Sequence, residues 1–149
     1  MSQISESLRD RINNVVIDAD LTLFAVSFFN GIKPTLPSDV ITGTLLAKFT
    51  VNNDGVTGGT WATSSGGVIL RTSSEVMQAT CLVASSPTHY RIHKLSESAT
   101  TANTALYRLQ GTCGVTNEFD AILNSTYFPM ILSQVYTLGT IGFSIPVGS

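Results

Sequence analysis

The sequence predicts an all-β chain, an antiparallel β-sandwich or jelly-roll preceded by one short N-terminal α-helix. Three observations predict it. Short runs rich in β-branched and aromatic residues recur at about 8–12-residue spacing, separated by Gly, Ser, Asn and Pro clusters. A helical period is confined to the first residues, and no second one follows. The length, 149 residues, suits one core that buries about two thirds of the unfolded chain's surface. A single domain is therefore expected over residues 1–149, with the helix in 1–17 and the sheet region in 18–149.

Ile4, Leu8, Ile12, Val15 and Val16 fall at helical spacing, Ser2 or Ser5 can cap the start, and Asn13 with Asn14 is expected to weaken the end. Glu6, Arg9, Asp10 and Arg11 then read as the solvated face. Such a helix plugs one end of a sandwich or reaches a neighbouring subunit. Residues 21–29, LTLFAVSFF, are apolar at nearly every position, the pattern of a strand buried on both faces. Asn30-Gly31 ends it. Residues 32–43 contain Pro34, Pro37 and Gly43 without periodicity and read as an extended connection along the outside of a sheet. Residues 44–51 alternate as a second strand, and 52–60, NNDGVTGGT, form a turn cluster. Further strands are expected at 61–64, 67–72, 75–84, 118–123 and 134–145, eight or nine in all.

Residues 88–114 read as a central hairpin. Tyr90, Ile92 and Lys94 alternate with His89, Arg91 and His93, and Ala105, Tyr107 and Leu109 alternate with Leu106, Arg108 and Gln110. The polar link 96–103, SESATTAN, lacks a tight two-residue turn and is expected to be a mobile surface loop. His89, Arg91 and His93 are assigned to the half-exposed, polar side.

Charged residues make up 12% of the chain, about half the share usual in soluble domains, and the mean hydropathy is +0.26. A surface so poor in charge fits a protein packed against partners, with a Thr-rich soluble β domain as the plainer account. The net charge of -2 argues against a direct nucleic-acid ligand. No run reaches the length of a membrane helix, and the N-terminus lacks the order of a secretory signal, so synthesis in a cytoplasm is expected. Cys81 and Cys113 lack metal or redox spacing and read as small buried hydrophobes.

Candidate chemistry is thin. His89 and His93 share a strand face without a nearby third ligand, so neither a metal nor any other cofactor is expected. No GxSxG elbow accompanies the many serines, and Gly58-Gly59 and Gly66-Gly67 lack the context of a phosphate cradle. Glu118 and Asp120 could share a strand face as an acid pair, although turn chemistry explains them as well. Trp61, Phe49, Tyr90 and Tyr107 fit a core, and an exposed aromatic platform for glycans is the alternative. No catalytic residue is assigned, and an enzyme is not expected.

The helix with LRDRI, the strand and turn FFNGIKPTLPSDV, the strand TLLAKFTV and a Gly-rich hairpin follow one another in an order that resembles a group of small virion proteins of tailed bacteriophages. YRIHKLSES, TALYRLQGTCG and VYTLGTIGFSIP extend the resemblance over most of the chain. It implies a non-enzymatic decoration, or cement, protein on the outer surface of the phage head, clamping subunits of the major capsid protein and associating as a homo-oligomer, a dimer or trimer. A neck or tail component is the first alternative and a glycan-binding β-sandwich the second. Partner contacts are expected at Ile4 and Leu8 on the helix, at Lys33, Pro34, Leu36 and Pro37 in the connection, and at Asn53 and Asp54 in the turn. The longer polar loop at 96–103 and the bulky Tyr127-Phe128 depart from the group's pattern.

Overall fold

The structure, a computed structural model, describes residues 5–116, 118 and 120–144, with Phe143 described by its backbone alone. Ser5 accepts a hydrogen bond from the Leu8 amide and opens helix α1 (Glu6–Ile12). Among the described residues nine strands follow: β1 (Phe24–Phe29), β2 (Leu45–Val51), β3 (Val68–Leu70), β4 (Met77–Thr80), β5 (His89–Lys94), β6 (Leu109–Gly114), β7 (Ala121–Ile122), β8 (Val135–Thr137) and β9 (Gly142–Ser144). They are thus predominantly β with a short helix at the start, as the sequence predicts, and a single 3-10 turn at Ser125–Tyr127.

Seven strands form one sheet in the order β7-β6-β5-β1-β2-β4-β8, and β3 pairs with β9 in a separate ribbon. All pairs in the large sheet are antiparallel except β6 with β7, so the sheet is mixed. It curls into a half-barrel that is not clearly closed as a sandwich or jelly-roll. The edge strands are too short to continue the ladder around, with two residues in β7 and three in β8.

Every residue of β1 is buried, as its unbroken apolar run requires of a central strand. Elsewhere the strands are shorter than their sequence runs. Residues 61–64 contribute only an isolated bridge from Trp61 to Arg71. Of 118–123 only Ala121–Ile122 pairs, so Glu118 and Asp120 do not share a strand, and Phe119 lies outside the described residues. The expected last strand divides into β8 and β9 around residues 138–141, and Ile145 lies outside the described residues.

The helix corrects the sequence reading in the side it docks. Its α-helical bonding gives way at Asn13, and π-helical turns run on over Asn13–Asp18. The Asn13 amide, fully buried, donates to Ser64 Oγ and Gly67 O, both at 3.0 Å, and Asn14 Oδ1 accepts from the Ser64 amide at 2.9 Å. Asp10 Oδ1 takes hydrogen bonds from Ser64 Oγ and the Gly67 amide, each at 2.8 Å. It is therefore the polar side that docks on the 64–67 turn, while Leu8, Val15 and Val16 of the apolar side stay exposed. Local bonds satisfied in a tight turn outweigh the periodicity of a few small apolar side chains.

The two faces of the sheet differ in kind. Phe24, Val26 and Phe28 project from β1 into an apolar cluster with Phe49, Ile92, Met77, Cys113, Tyr136 and Ile69 of the ribbon. Ala25, Ser27 and Phe29 alternate onto the other face, opposite His93, Arg91 and His89 of β5. Cys81 and Cys113 are both buried free thiols. Among the described residues no helix is long and apolar enough to cross a membrane.

Candidate functional site

The face opposite the apolar core is the chemically richest region. The hairpin strand β5 puts His89, Arg91 and His93 there at every second position, each with essentially no exposure. Their assignment to a half-exposed polar side is thereby overturned. Two long connections meet at Arg91, in the middle of this row: residues 30–44 between β1 and β2, and 95–108 between β5 and β6. The Ile41 amide bonds to Thr100 O at 2.9 Å and the Asn103 amide to Ser38 O at 2.9 Å, which joins the connections into one cap. The loop at 96–103 is therefore laid down on the sheet. Residues 105–108, expected as strand, belong to this cap, and β6 begins only at Leu109.

At its neck the cap is pinned by Asn30, whose amide donates to Thr44 O while its Oδ1 accepts from the Thr44 amide. Gly43 is needed there, since a Cβ would sit 1.8 Å from Asn30 O.

Arg91 holds the cap to the sheet. Its guanidinium donates to Ala99 O (2.9 Å) and Asp39 O (3.1 Å), one from each connection, and to Gln110 Oε1 (2.9 Å) on β6. Gln110 Nε2 in turn donates to Pro34 O at 2.8 Å. Arg108 ties the second connection to itself through Thr101 O and Ser98 O. Burial and the nearby Arg108 push the Arg91 guanidinium down to about 10, with Asp39 opposing. Arg91 stays charged at neutral pH, held by neutral acceptors.

The histidine tautomers follow from their partners. His93 Nδ1 lies 2.8 Å from the Lys94 carbonyl, which can only accept, so Nδ1 carries the proton and Nε2 accepts from Ser27 Oγ at 2.9 Å. Thr88 Oγ1 donates to Gly31 O at 2.6 Å, so His89 Nδ1 donates to Thr88 Oγ1 at 2.9 Å. His89 Nε2 is then a buried lone pair without a hydrogen-bond partner, its ring stacked on Phe29. Burial first, then Arg91 and Lys33, pushes His89 down to about 4. Burial likewise brings His93 down to about 4, with Lys48, Arg108 and Arg91 adding to it and the Lys94 carbonyl opposing.

The expected contact residues are spread over three elements. Lys33, Pro34, Leu36 and Pro37 share the cap, where Leu36 is exposed and Lys33, Pro34 and Pro37 are half-buried. Leu8 lies on α1. Asn53 and Asp54 lie at the end of β2 and build the turn there. Asn53 bonds to Thr80 of β4 through both side-chain atoms, and Asp54 accepts from the Val56 and Thr57 amides. Ile4 lies outside the described residues.

A cavity of about 320 Å³ opens on the apolar side, lined by Val26, Phe28, Ile92, Leu138, Tyr90 and Asp120 among others. Burial pushes the Tyr90 hydroxyl up to about 12, with the Asp120 charge adding to it. Among the described residues no group of three or more His, Cys, Asp or Glu side chains could hold a metal ion. Trp61 is buried, stacked on Phe24 with its Nε1 donating to Leu21 O, so it offers no platform to a glycan.

Sequence reasoning missed the buried polar row. The signal available was a His, Arg, His alternation flanked by two unusually long connections, each able to fold back over it. Compared with protein-family models, with curated proteins and with solved structures, the chain matches none of them.

Proposed function

We propose that the chain is a non-enzymatic structural protein of a tailed-phage virion, a decoration or cement protein that clamps neighbouring subunits of the major capsid protein on the outer head. One observation carries this reading. Two separate elements, the helical segment 6–18 and the cap, turn polar groups inward, Asn13 and Arg108 being buried, and leave apolar side chains outward, the reverse of a surface evolved to face water alone. On the helical segment these are Leu8 of α1 and Val15 and Val16 of the π-helical turns; on the cap they are Ile32, Leu36, Val40 and Tyr107, with Ile32 83% exposed. The low charge of the chain fits the same account. Association as a homo-oligomer, a dimer or trimer, belongs to this proposal, as does a place on the virion surface.

The finer fold assignment belongs here too. The ribbon of β3 and β9 places the buried Ile69 in the core of the curled sheet, which supports reading the molecule as an open sandwich whose second layer is short. The mechanism would be burial across joints, where an interface of roughly 1,000 Å² or more gives a stable contact. Quantitative mass spectrometry of purified particles tests it. A copy number comparable with that of the major capsid protein is expected. A small fixed number would move the chain to the neck or tail, and absence from particles would overturn the proposal.

A further inference from the structure

We propose that His89, Arg91 and His93 form an acid-operated latch: protonation of the two imidazoles releases the cap made of residues 30–44 and 95–108 and bares the polar face of the sheet. The inference does not rest on the virion reading. Its basis is the geometry of a buried row in which every second residue of β5 is basic and whose middle member, Arg91, ties the cap to the sheet.

Each imidazole is held neutral by its partners. A proton added to His89 Nε2 finds no acceptor, because that atom is buried and unpartnered while Nδ1 already donates to Thr88. A proton added to His93 turns Nε2 from acceptor to donor and forces the Ser27 hydroxyl to give up its own donation. The groups around them are mostly cations. Lys33 of the first connection and Arg91 bear on His89; Lys48 of β2, Arg91, and Arg108 of the second connection bear on His93. The carboxylates of this region face the arginines instead, Asp39 acting on Arg91 and Glu97 on Arg108. A positive charge added to this row therefore adds to that of Arg91 without a counter-ion. Relief comes by lifting the cap, since an opened cap lets water reach both rings.

The cap can move without undoing the core. Its cross-bonds are few, and the apolar cluster lies on the other face of the sheet. Elements held by a handful of hydrogen bonds open at lower free energy than central strands.

Residue-resolved hydrogen exchange near neutral pH and at about pH 4.5, corrected for intrinsic rates, tests the latch. The Ile41 and Asn103 amides, which bridge the two connections, are expected to lose at least about tenfold more protection in acid than amides of β1, whose protection falls only with the stability of the whole chain. Equal protection of the cap at both values would overturn the proposal. So would equal losses in the cap and in β1, which would be global unfolding. The double variant His89→Gln with His93→Gln keeps Asp39 and Glu97 and is expected to hold its cap in acid; an undiminished acid response in it assigns the effect to those carboxylates and overturns the latch. Should that variant not fold, Lys48→Met decides, because removing the charge beside His93 is expected to shrink the acid response, and an unchanged response overturns it.

Discussion

The two faces of the central strands are built from the same backbone and obey opposite rules. On one, Phe24, Val26, Phe28, Phe49 and Ile92 pack into a continuous apolar cluster whose cohesion needs no particular partner for any one side chain. On the other, Ser27, His89, Arg91, His93 and Gln110 are sealed under a cap by individually specified hydrogen bonds. The apolar face tolerates changes of shape that conserve volume. The polar face tolerates little, because each lost partner strands a buried group. The difference teaches that burial and hydrophobicity are separate properties, and that a long connection can convert an outer face into an inner one.

The comparison breaks most severely at Phe24. Phe24→Ala removes a ring stacked on Trp61 at the centre of the apolar cluster and is expected to cost about 3–5 kcal/mol in equilibrium urea unfolding, or to prevent folding. On the polar face acid should do nearly as much. Both histidines titrate near 6.5 when unfolded and near 4 when folded, so the folded state disfavours their charged forms. Their stabilisation is complete above 6.5, falls as pH drops from 6.5 towards 4, and changes no further below it. A loss of roughly 3 kcal/mol for the pair between pH 7 and 5 is expected from this linkage, read as a shift of the unfolding midpoint with pH. Asp10, Asp54 and Asp120, whose pKa values lie below the usual 3.8, act only in stronger acid.

Arg91→Ala is expected to cost about 2–4 kcal/mol, since it strands Ala99 O, Asp39 O and Gln110 at once. Arg91→Met should cost less, as it refills the volume. If the two cost the same, hydrogen bonding and not packing holds the cap. Gly43→Ala should cost about 1–3 kcal/mol by forcing the neck of the cap apart at Asn30, and limited proteolysis should then cut within 30–44 first. Smallest of all, Leu36→Ser on the outer surface should change the stability of the isolated chain by less than about 0.5 kcal/mol. Under the virion reading it should nonetheless weaken binding to capsids in a co-sedimentation assay.

What could be read in advance depended on whether the decisive contacts were local. The period-2 runs, the Asn-Gly and NNDG turns and the apolar stretch over residues 21–29 specify strands through neighbours in the chain, and β1, β2, β4 and β5 appear where those runs lie. The Ser5 cap is equally local. By contrast, alternation at residues 105–108 was not enough to make strand, because Arg108 draws its stretch into the cap through Thr101 and Ser98. The same distance hid the docking of Asn13, whose partners lie 51 and 54 residues away.

By itself, then, the sequence determined a predominantly β chain with one short helix at its start, a central apolar strand, and a surface poor in charge. Periodicity, turn residues and composition carry that information residue by residue. Only the tertiary structure decided which side of β5 is inside, which side of the helix faces the body, and how far the sheet curls. Those choices turn on where two long connections come to rest and on whether short edge strands can pair. Both are settled by hydrogen bonds between residues far apart in the chain, to which a local pattern is blind.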